Sequence, residues 1–253
     1  PQDVKDKVTQ LTADLWETDK ECAYAVAAGD AKDFIPVEHS MYEGVLAARK
    51  LQERPRNGEL LAFVSKPTFD PNLFVDGIDS ENWRELNESI DKPLLNRALR
   101  GTYPPGSTFK PFMAMAALNT GKRSPATIIH DGGSYQFGNH LFRSHGDHGL
   151  GAVDMMRSIV KSSNVYYYSL ANELGVDLMH EQLLPLGFGR KTGIDIDGEV
   201  TGLLPSTEWK RRYYKRPEQQ KWYAGETISL GIGQGYNNFT ALQMASATAT
   251  LVS

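Results

Sequence analysis

Gly101-Thr-Tyr-Pro-Pro-Gly-Ser107-Thr-Phe-Lys110-Pro-Phe-Met-Ala-Met-Ala-Ala-Leu118 sets a rigid turn directly before an apolar helical run. Pro104 and Pro105 fix φ, Gly106 permits a sharp bend, and the Met, Ala and Leu residues that follow favour helix. Ser107 is therefore expected at a helix N-terminus, where free N–H groups and the positive end of the helix dipole favour negative charge on its oxygen. Lys110 lies one helical turn on and shares the serine's face. An amine kept neutral by burial or by cationic neighbours could take the hydroxyl proton, so Ser107 is the candidate nucleophile and Lys110 its activator.

A bare Ser-x-x-Lys is more often just an N-capping serine followed by a solvated lysine. The choice turns on a second element, Ser162-Ser163-Asn164. It lies between the helix-like runs Val153–Val160 and Val165–Ala171, where a hydroxyl and an amide at Ser162 and Asn164 could relay a proton and hold a substrate carbonyl. Alone, this tripeptide reads as a helix cap. Ser-x-x-Lys followed by Ser-x-Asn is the order found in penicillin-binding proteins and class A β-lactamases.

The box Tyr103-Pro-Pro-Gly-Ser107-Thr-Phe-Lys110-Pro resembles the active-site box of the class B penicillin-binding proteins, the D,D-transpeptidases that cross-link peptidoglycan. Further stretches resemble their elongation-type subgroup, penicillin-binding protein 2: Phe69–Ile78, Asn96–Ala98, Thr192–Asp195, Pro205–Lys210, Gly231–Tyr236 and Gln243–Ala245. The resemblance runs from about Asn57 to Ser253. It implies an α+β fold of the penicillin-binding transpeptidase and β-lactamase type, an antiparallel sheet flanked by helices, with a partial N-terminal pedestal. Residues 1–52 would be that non-catalytic pedestal region and 53–253 the transpeptidase domain.

The resemblance implies that Ser107 attacks the penultimate D-alanine carbonyl of a stem peptide ending in D-Ala-D-Ala. A second strand's amine would then resolve the acyl-enzyme, and β-lactams would acylate the same serine. Lys110, Ser162 and Asn164 are the other catalytic residues carried over. It also implies a SEDS-family glycan polymerase as partner, and a place at the periplasmic face of the bacterial inner membrane. No cofactor is implied. A serine β-lactamase or β-lactam sensor, and a non-catalytic scaffold for a glycan polymerase, remain the alternative classes.

In two places the chain departs from the family. The family's Lys-Thr-Gly strand motif is matched only by Lys191-Thr192-Gly193, too soon after Asn164, and is read as a decoy. The genuine motif is expected beyond Ser253, so the chain is expected to be truncated before that strand. Some elongation-type members carry zinc beside the Ser-x-Asp motif, and His130, Asp131, His140, His145, Asp147 and His148 are imidazoles and carboxylates close in sequence. Only Asp131 falls in place, and Ser163 stands where the resemblance puts a cysteine. This stretch is read as a polar surface loop, with no metal assigned.

The 253 residues, 40% hydrophobic and 23% charged, suffice for a sizeable core. A net charge of −4 gives no electrostatic ground for nucleic acid as a partner. The basic and aromatic run Lys210-Arg-Arg-Tyr-Tyr-Lys-Arg216 is read as a surface loop. Nothing in the chain approaches the ~18 apolar residues of a membrane span, so the single-pass anchor that the resemblance implies is expected to be absent from it. Cys22 is the single cysteine, which excludes an intrachain disulfide.

Periodicity predicts helices over 4–15 and 41–51, with an extended stretch at Phe34–Val37. A hairpin turn at 56–59 should lead into a strand over 60–65. A mostly loop-like passage over 71–92 would hold a helical turn near Trp83. Beyond the Ser-x-Asn, a helix and Gly-rich turn are expected over 174–189, and a mobile loop between Lys210 and Trp222. Thr227–Tyr236 should turn closely against the site, and a helix over 240–252 should pack beneath the serine helix.

Overall fold

The chain is described by a computed structural model over residues 63–144 and 148–252. The helices expected over 4–15 and 41–51, the extended stretch at 34–37, the 56–59 turn and the pedestal lie outside the described residues, as do His145 and Asp147. Of the strand expected over 60–65, only 63–65 is described, and it runs without regular structure.

After a 3-10 turn at Pro71–Phe74, helix α1 spans Ser80–Glu88 and the short helix α2 spans Arg97–Arg100. Helix α1 is longer than the single turn expected, because the Asp79 carboxylate caps it by accepting from the N–H groups of Glu81 and Asn82. Strand β1 (Thr102–Tyr103), a 3-10 turn (Gly106–Phe109) and helix α3 (Lys110–Asn119) then carry the Ser-x-x-Lys box. Next come β2 (Ile129–Asp131), β3 (Ser134–Phe137), β4 (His140–Arg143) and β5 (Gly151–Val153). Helices α4 (Met155–Val160), α5 (Asn164–Leu174) and α6 (Val176–Leu183) follow, then α7 (Thr207–Tyr213), α8 (Pro217–Gln220) and α9 (Ala224–Ile228). A 3-10 turn at Ser229–Ile232, strand β6 (Phe239–Thr240) and helix α10 (Ala241–Val252) complete the described chain.

Strand pairing among the described residues consists of three two-stranded antiparallel ladders, β1 with β6, β2 with β5 and β3 with β4. The first pairs Thr102 with Thr240, which joins the approach to the serine turn to the start of α10. The second pairs His130 with Ala152 and brings Asp131 opposite Gly151.

Helix α3 is apolar on nearly every side, the pattern of a helix surrounded by protein. Phe112, Met113, Ala114, Ala116 and Ala117 are all buried, and α3 packs against α5 and α6. Beneath the serine turn, Phe109 stacks on Phe239 at 5.9 Å, and Phe188 meets Phe109, Phe112 and Phe239 at 5.4, 4.9 and 4.7 Å. Removing one such ring would cost about 3–5 kcal/mol, which is what fixes the turn above them. At the other end of α3, buried Arg123 grips Glu173 and Ser169 of α5 and donates to the Tyr166 carbonyl. The two helices that carry the Ser-x-x-Lys and Ser-x-Asn boxes are thus tied at both ends.

Helix α10 packs chiefly on α2, β6 and the 3-10 turn at Leu184–Leu186, rather than beneath α3. The run at 210–216, expected as a loop, begins inside helix α7 with Lys210 buried. Ser206 starts that helix by accepting from the Trp209 N–H, a capping signal that precedes the basic run. The segment between Lys210 and Trp222, expected as a loop, includes the short helix α8.

Candidate active site

The serine turn owes its position to backbone contacts that side chains would obstruct. Gly106, at φ +57°, donates its N–H to the Gly233 carbonyl at 3.0 Å. A Cβ on Gly233, itself at φ +71°, would strike the Gly106 carbonyl, and one on Gly231 would strike the Tyr167 carbonyl of α5. The expected close approach of Thr227–Tyr236 is therefore present, made by glycine where backbones meet.

Ser107 is exposed at the head of this turn, while Lys110, one turn on, is only 1% exposed. Lys110 opens α3 and points across to the junction of α4 and α5. Its Nζ donates to the Ser162 carbonyl at 2.6 Å, to Ser162 Oγ at 2.9 Å and to Asn164 Oδ1 at 2.8 Å. Ser162 Oγ donates to Ser107 Oγ at 2.9 Å. All four residues picked from the sequence thus meet, but the hydrogen bonds run from Lys110 to Ser107 through the Ser162 hydroxyl. Spacing along one helix face had pointed to a direct lysine–serine contact. Burial redirects the lysine, because its three N–H groups find oxygens at the helix junction.

That junction holds an uncommon backbone conformation. Ser162 has φ +54°, a region non-glycine residues seldom adopt, and this turns its hydroxyl and carbonyl toward Lys110. Ser163 caps α5 by accepting from the Tyr166 N–H at 3.2 Å. It also donates to Asp131 Oδ2 at 2.6 Å, while Asp131 Oδ1 accepts from the Gly133 N–H at 2.8 Å. Asp131 is 1% exposed and so holds the middle of the Ser-x-Asn from below. The two residues nearest a family zinc site in sequence therefore do meet, through a hydrogen bond. Among the described residues, no group of three His, Cys, Asp or Glu side chains is arranged to hold a metal ion.

Burial lowers the pKa of Lys110 from its ordinary 10.5 to about 8, against the opposing pull of the Asp131 charge. With a pKa near 8, about one amine in ten is neutral at pH 7, against about one in three thousand at 10.5. The group best placed to accept a proton from Ser162 is therefore available near neutrality. The ring of Tyr167 lies 5.6 Å from the Lys110 nitrogen and completes its apolar floor.

An open cleft of about 360 Å³ lies over these groups, lined by Ser107, Ser144, His148, Leu150, Lys161, Ser162, Asn164, Ile232 and Gln234. Ser144, Leu150 and Lys161 escaped sequence reasoning as site residues, His148 entered it only as an imidazole of the polar loop, and Ile232 and Gln234 only within the Thr227–Tyr236 segment expected against the site. The Gly231-Ile-Gly-Gln-Gly-Tyr236 box was the one signal that could have pointed to Gln234. Lys191-Thr192-Gly193 is not among the cleft residues. Its Thr192 and Gly193 N–H groups bind the carboxylate of buried Glu199, at 2.7 and 3.3 Å.

The penicillin-binding protein transpeptidase domain family matches residues 53–253. The peptidoglycan D,D-transpeptidase MrdA of Acinetobacter baumannii is 48% identical over 197 residues, which cover 77% of this chain and 29% of that protein. The chain therefore spans less than a third of that relative's length. The crystal structure of Pseudomonas aeruginosa PBP2 in complex with WCK 5153 matches with a TM-score of 0.72 at 44% identity, over 81% of this chain and 46% of that one. A structure of a peptidoglycan synthase complex, described for its coordination of polymerization and crosslinking, matches with a TM-score of 0.68 at 35% identity, over 84% and 39% of the two chains. The α+β fold expected from the sequence is the fold of these structures. Matched over most of its length in sequence, and in structure to proteins of the same kind, the chain belongs to the penicillin-binding protein transpeptidase family.

Proposed function

We propose that the protein is a peptidoglycan D,D-transpeptidase of the elongation type, acting through an acyl-enzyme at Ser107. The observation that carries this is the hydrogen-bonded line from Ser107 through Ser162 to a buried lysine whose partners there are all neutral oxygens. Ser107 Oγ attacks the penultimate D-alanine carbonyl, and its proton passes to Ser162 Oγ as the Ser162 proton passes to Lys110 Nζ. The same line returns a proton to the leaving D-alanine nitrogen, and the amine of a second strand then attacks the ester and restores Ser107. Asn164 holds the lysine and faces the cleft, placed to orient the stem peptide's amide. The Ser107 N–H at the head of the turn is the first donor to the oxyanion.

In this account 53–253 is the transpeptidase domain and 1–52 part of a pedestal. β-Lactams are the inhibitors, and a membrane glycan polymerase of the SEDS family is the partner, at the periplasmic face of the inner membrane. The partner assignment leans on the similarity to a complex that couples polymerization with crosslinking. Among the described residues, no helix is long and apolar enough to cross a membrane.

The test is the intact mass of the full-length protein after incubation with a penicillin, beside its Ser107→Ala variant. One added penicilloyl mass on the parent and none on the variant is expected. No adduct on the parent would end the transpeptidase assignment. Rapid loss of the adduct by hydrolysis would point to a β-lactamase instead.

A further inference from the structure

We propose that the aromatic and basic face built by α7, α8 and α9 is a binding surface for a glycan strand bearing carboxylated stem peptides. This extends the transpeptidase assignment and rests on it for the identity of the ligand. Here the run at 210–216, which the catalytic site leaves unused, gains a role.

The face is rigid. Buried Lys210 donates to both Glu226 carboxylate oxygens, at 2.5 and 2.6 Å, and so ties α7 to α9. Its nitrogen lies 5.4, 5.6 and 5.7 Å from the rings of Trp222, Tyr223 and Tyr236. Trp209 touches Tyr236 at 5.2 Å and stacks on Tyr213 at 5.3 Å with 28° between the planes. The stacking fixes Tyr213 while leaving it 66% exposed, and Tyr223 is 53% exposed. Tyr213, held by its stacking partner, keeps one ring face open, and the mobile Lys221 ammonium, 5.4 Å from the Tyr223 ring, can yield to a ligand; such rings are surfaces on which the C–H faces of sugars pack.

Charge identifies the rest of the ligand. The chain carries a net −4, yet Arg211, Lys215, Arg216 and Lys221 are all exposed along the 211–221 segment that builds this face. Of the acids on these helices, Glu226 is bound by Lys210, Glu208 pairs with Arg212 at 2.5 Å, and the exposed Glu218 of α8 offsets only one of the four cations. The unmatched charge is therefore positive, and it complements a chain of sugars carrying peptide carboxylates. Tyr236 connects the two sites, since its ring joins the aromatic cluster while Gln234, nearby in the same Gly-rich turn, lines the cleft. A strand lying on this face would lead one of its stems toward Ser107.

The experiment measures binding of soluble, uncross-linked glycan strands with intact stems to the full-length protein and to two variants. Tyr213→Gln with Tyr223→Gln removes the exposed rings; Arg211→Gln, Lys215→Gln, Arg216→Gln and Lys221→Gln together remove the charge. The ring variant should weaken binding about tenfold at any salt concentration. The charge variant should weaken it most at low salt and bind stem-free strands as the parent does. Both should take the penicillin adduct at Ser107 at the parent's rate, which reports separately on the catalytic assignment and on folding.

Parent-like strand binding by the ring variant would overturn the proposal, as would loss of its adduct, since the rings would then be structural. Tighter binding of the parent to phosphatidylglycerol vesicles than to strands, lost in the charge variant alone, would also overturn it in favour of a membrane contact.

Discussion

Two lysines in this chain are almost equally buried, Lys110 at 1% and Lys210 at 3% exposure, and their surroundings make them different chemical groups. Lys210 faces a carboxylate with both oxygens within 2.6 Å, so it serves as a cross-link between α7 and α9. Lys110 faces two serine oxygens and an amide oxygen, while the Asp131 carboxylate, whose charge it feels, bonds Ser163 instead. With desolvation uncompensated by a contacting negative charge, Lys110 can give up its proton near neutrality. Burial alone does not make a base; burial among neutral acceptors does.

The same substitution at both positions gives the largest contrast. Lys110→Arg keeps a positive charge that cannot be removed near neutral pH, so the rate of penicillin acylation should fall about 10³-fold. Lys210→Arg should leave that rate unchanged, since a guanidinium also satisfies a carboxylate. Comparable losses in the two variants, measured by adduct formation over time, would erase the distinction.

Removing the charge at Lys210 tests the structural half. Lys210→Met leaves Glu226 without its cation, with only the Tyr223 N–H and Tyr236 hydroxyl still donating to it, and because the Glu226 side chain is a quarter exposed the cost should be about 2–3 kcal/mol rather than the full value for a deeply buried pair. Denaturant unfolding reads this directly, and adding Glu226→Leu should recover part of it.

Asp131 sharpens the catalytic half. Its charge raises the Lys110 pKa, so Asp131→Asn should move the rising limb of the acylation pH profile to lower pH. In the parent, the rate should climb as pH approaches about 8 and level above it, because the deprotonated amine is the active form. Because Asn offers one acceptor oxygen where Asp131 offers one each to Ser163 and the Gly133 N–H, a weakened hold on Ser163 should also lower the plateau, by up to about tenfold. An unmoved limb would mean that Asp131 acts only as a brace.

The smallest effect belongs to the misplaced motif. Thr192→Val should leave acylation within about twofold, because this segment wraps Glu199 rather than the cleft.

What the sequence made legible was what is local in it. Pro104-Pro105-Gly106 before an apolar helix marks the serine turn, and Asn164 opening a second helix marks the junction that faces it. The route of the proton was not legible, because it depends on which oxygens a buried lysine finds across the fold. The left-handed backbone of Ser162 turns its hydroxyl into that gap. Lys210 was hidden for a related reason: a basic run reads as solvated unless Glu226, well separated along the chain, is known to lie against it. Asp131 lay in a stretch with too many candidate ligands for spacing to single out Ser163 as its partner.

The most direct measurement is the titration of Lys110 itself, followed by NMR of the labelled side-chain nitrogen beside the pH profile of acylation. The account predicts a midpoint near 8, well below the ordinary 10.5, and an acylation rate that rises with the same midpoint. A midpoint near 10.5, or a rate indifferent to it, would contradict Lys110 as the base that activates Ser107.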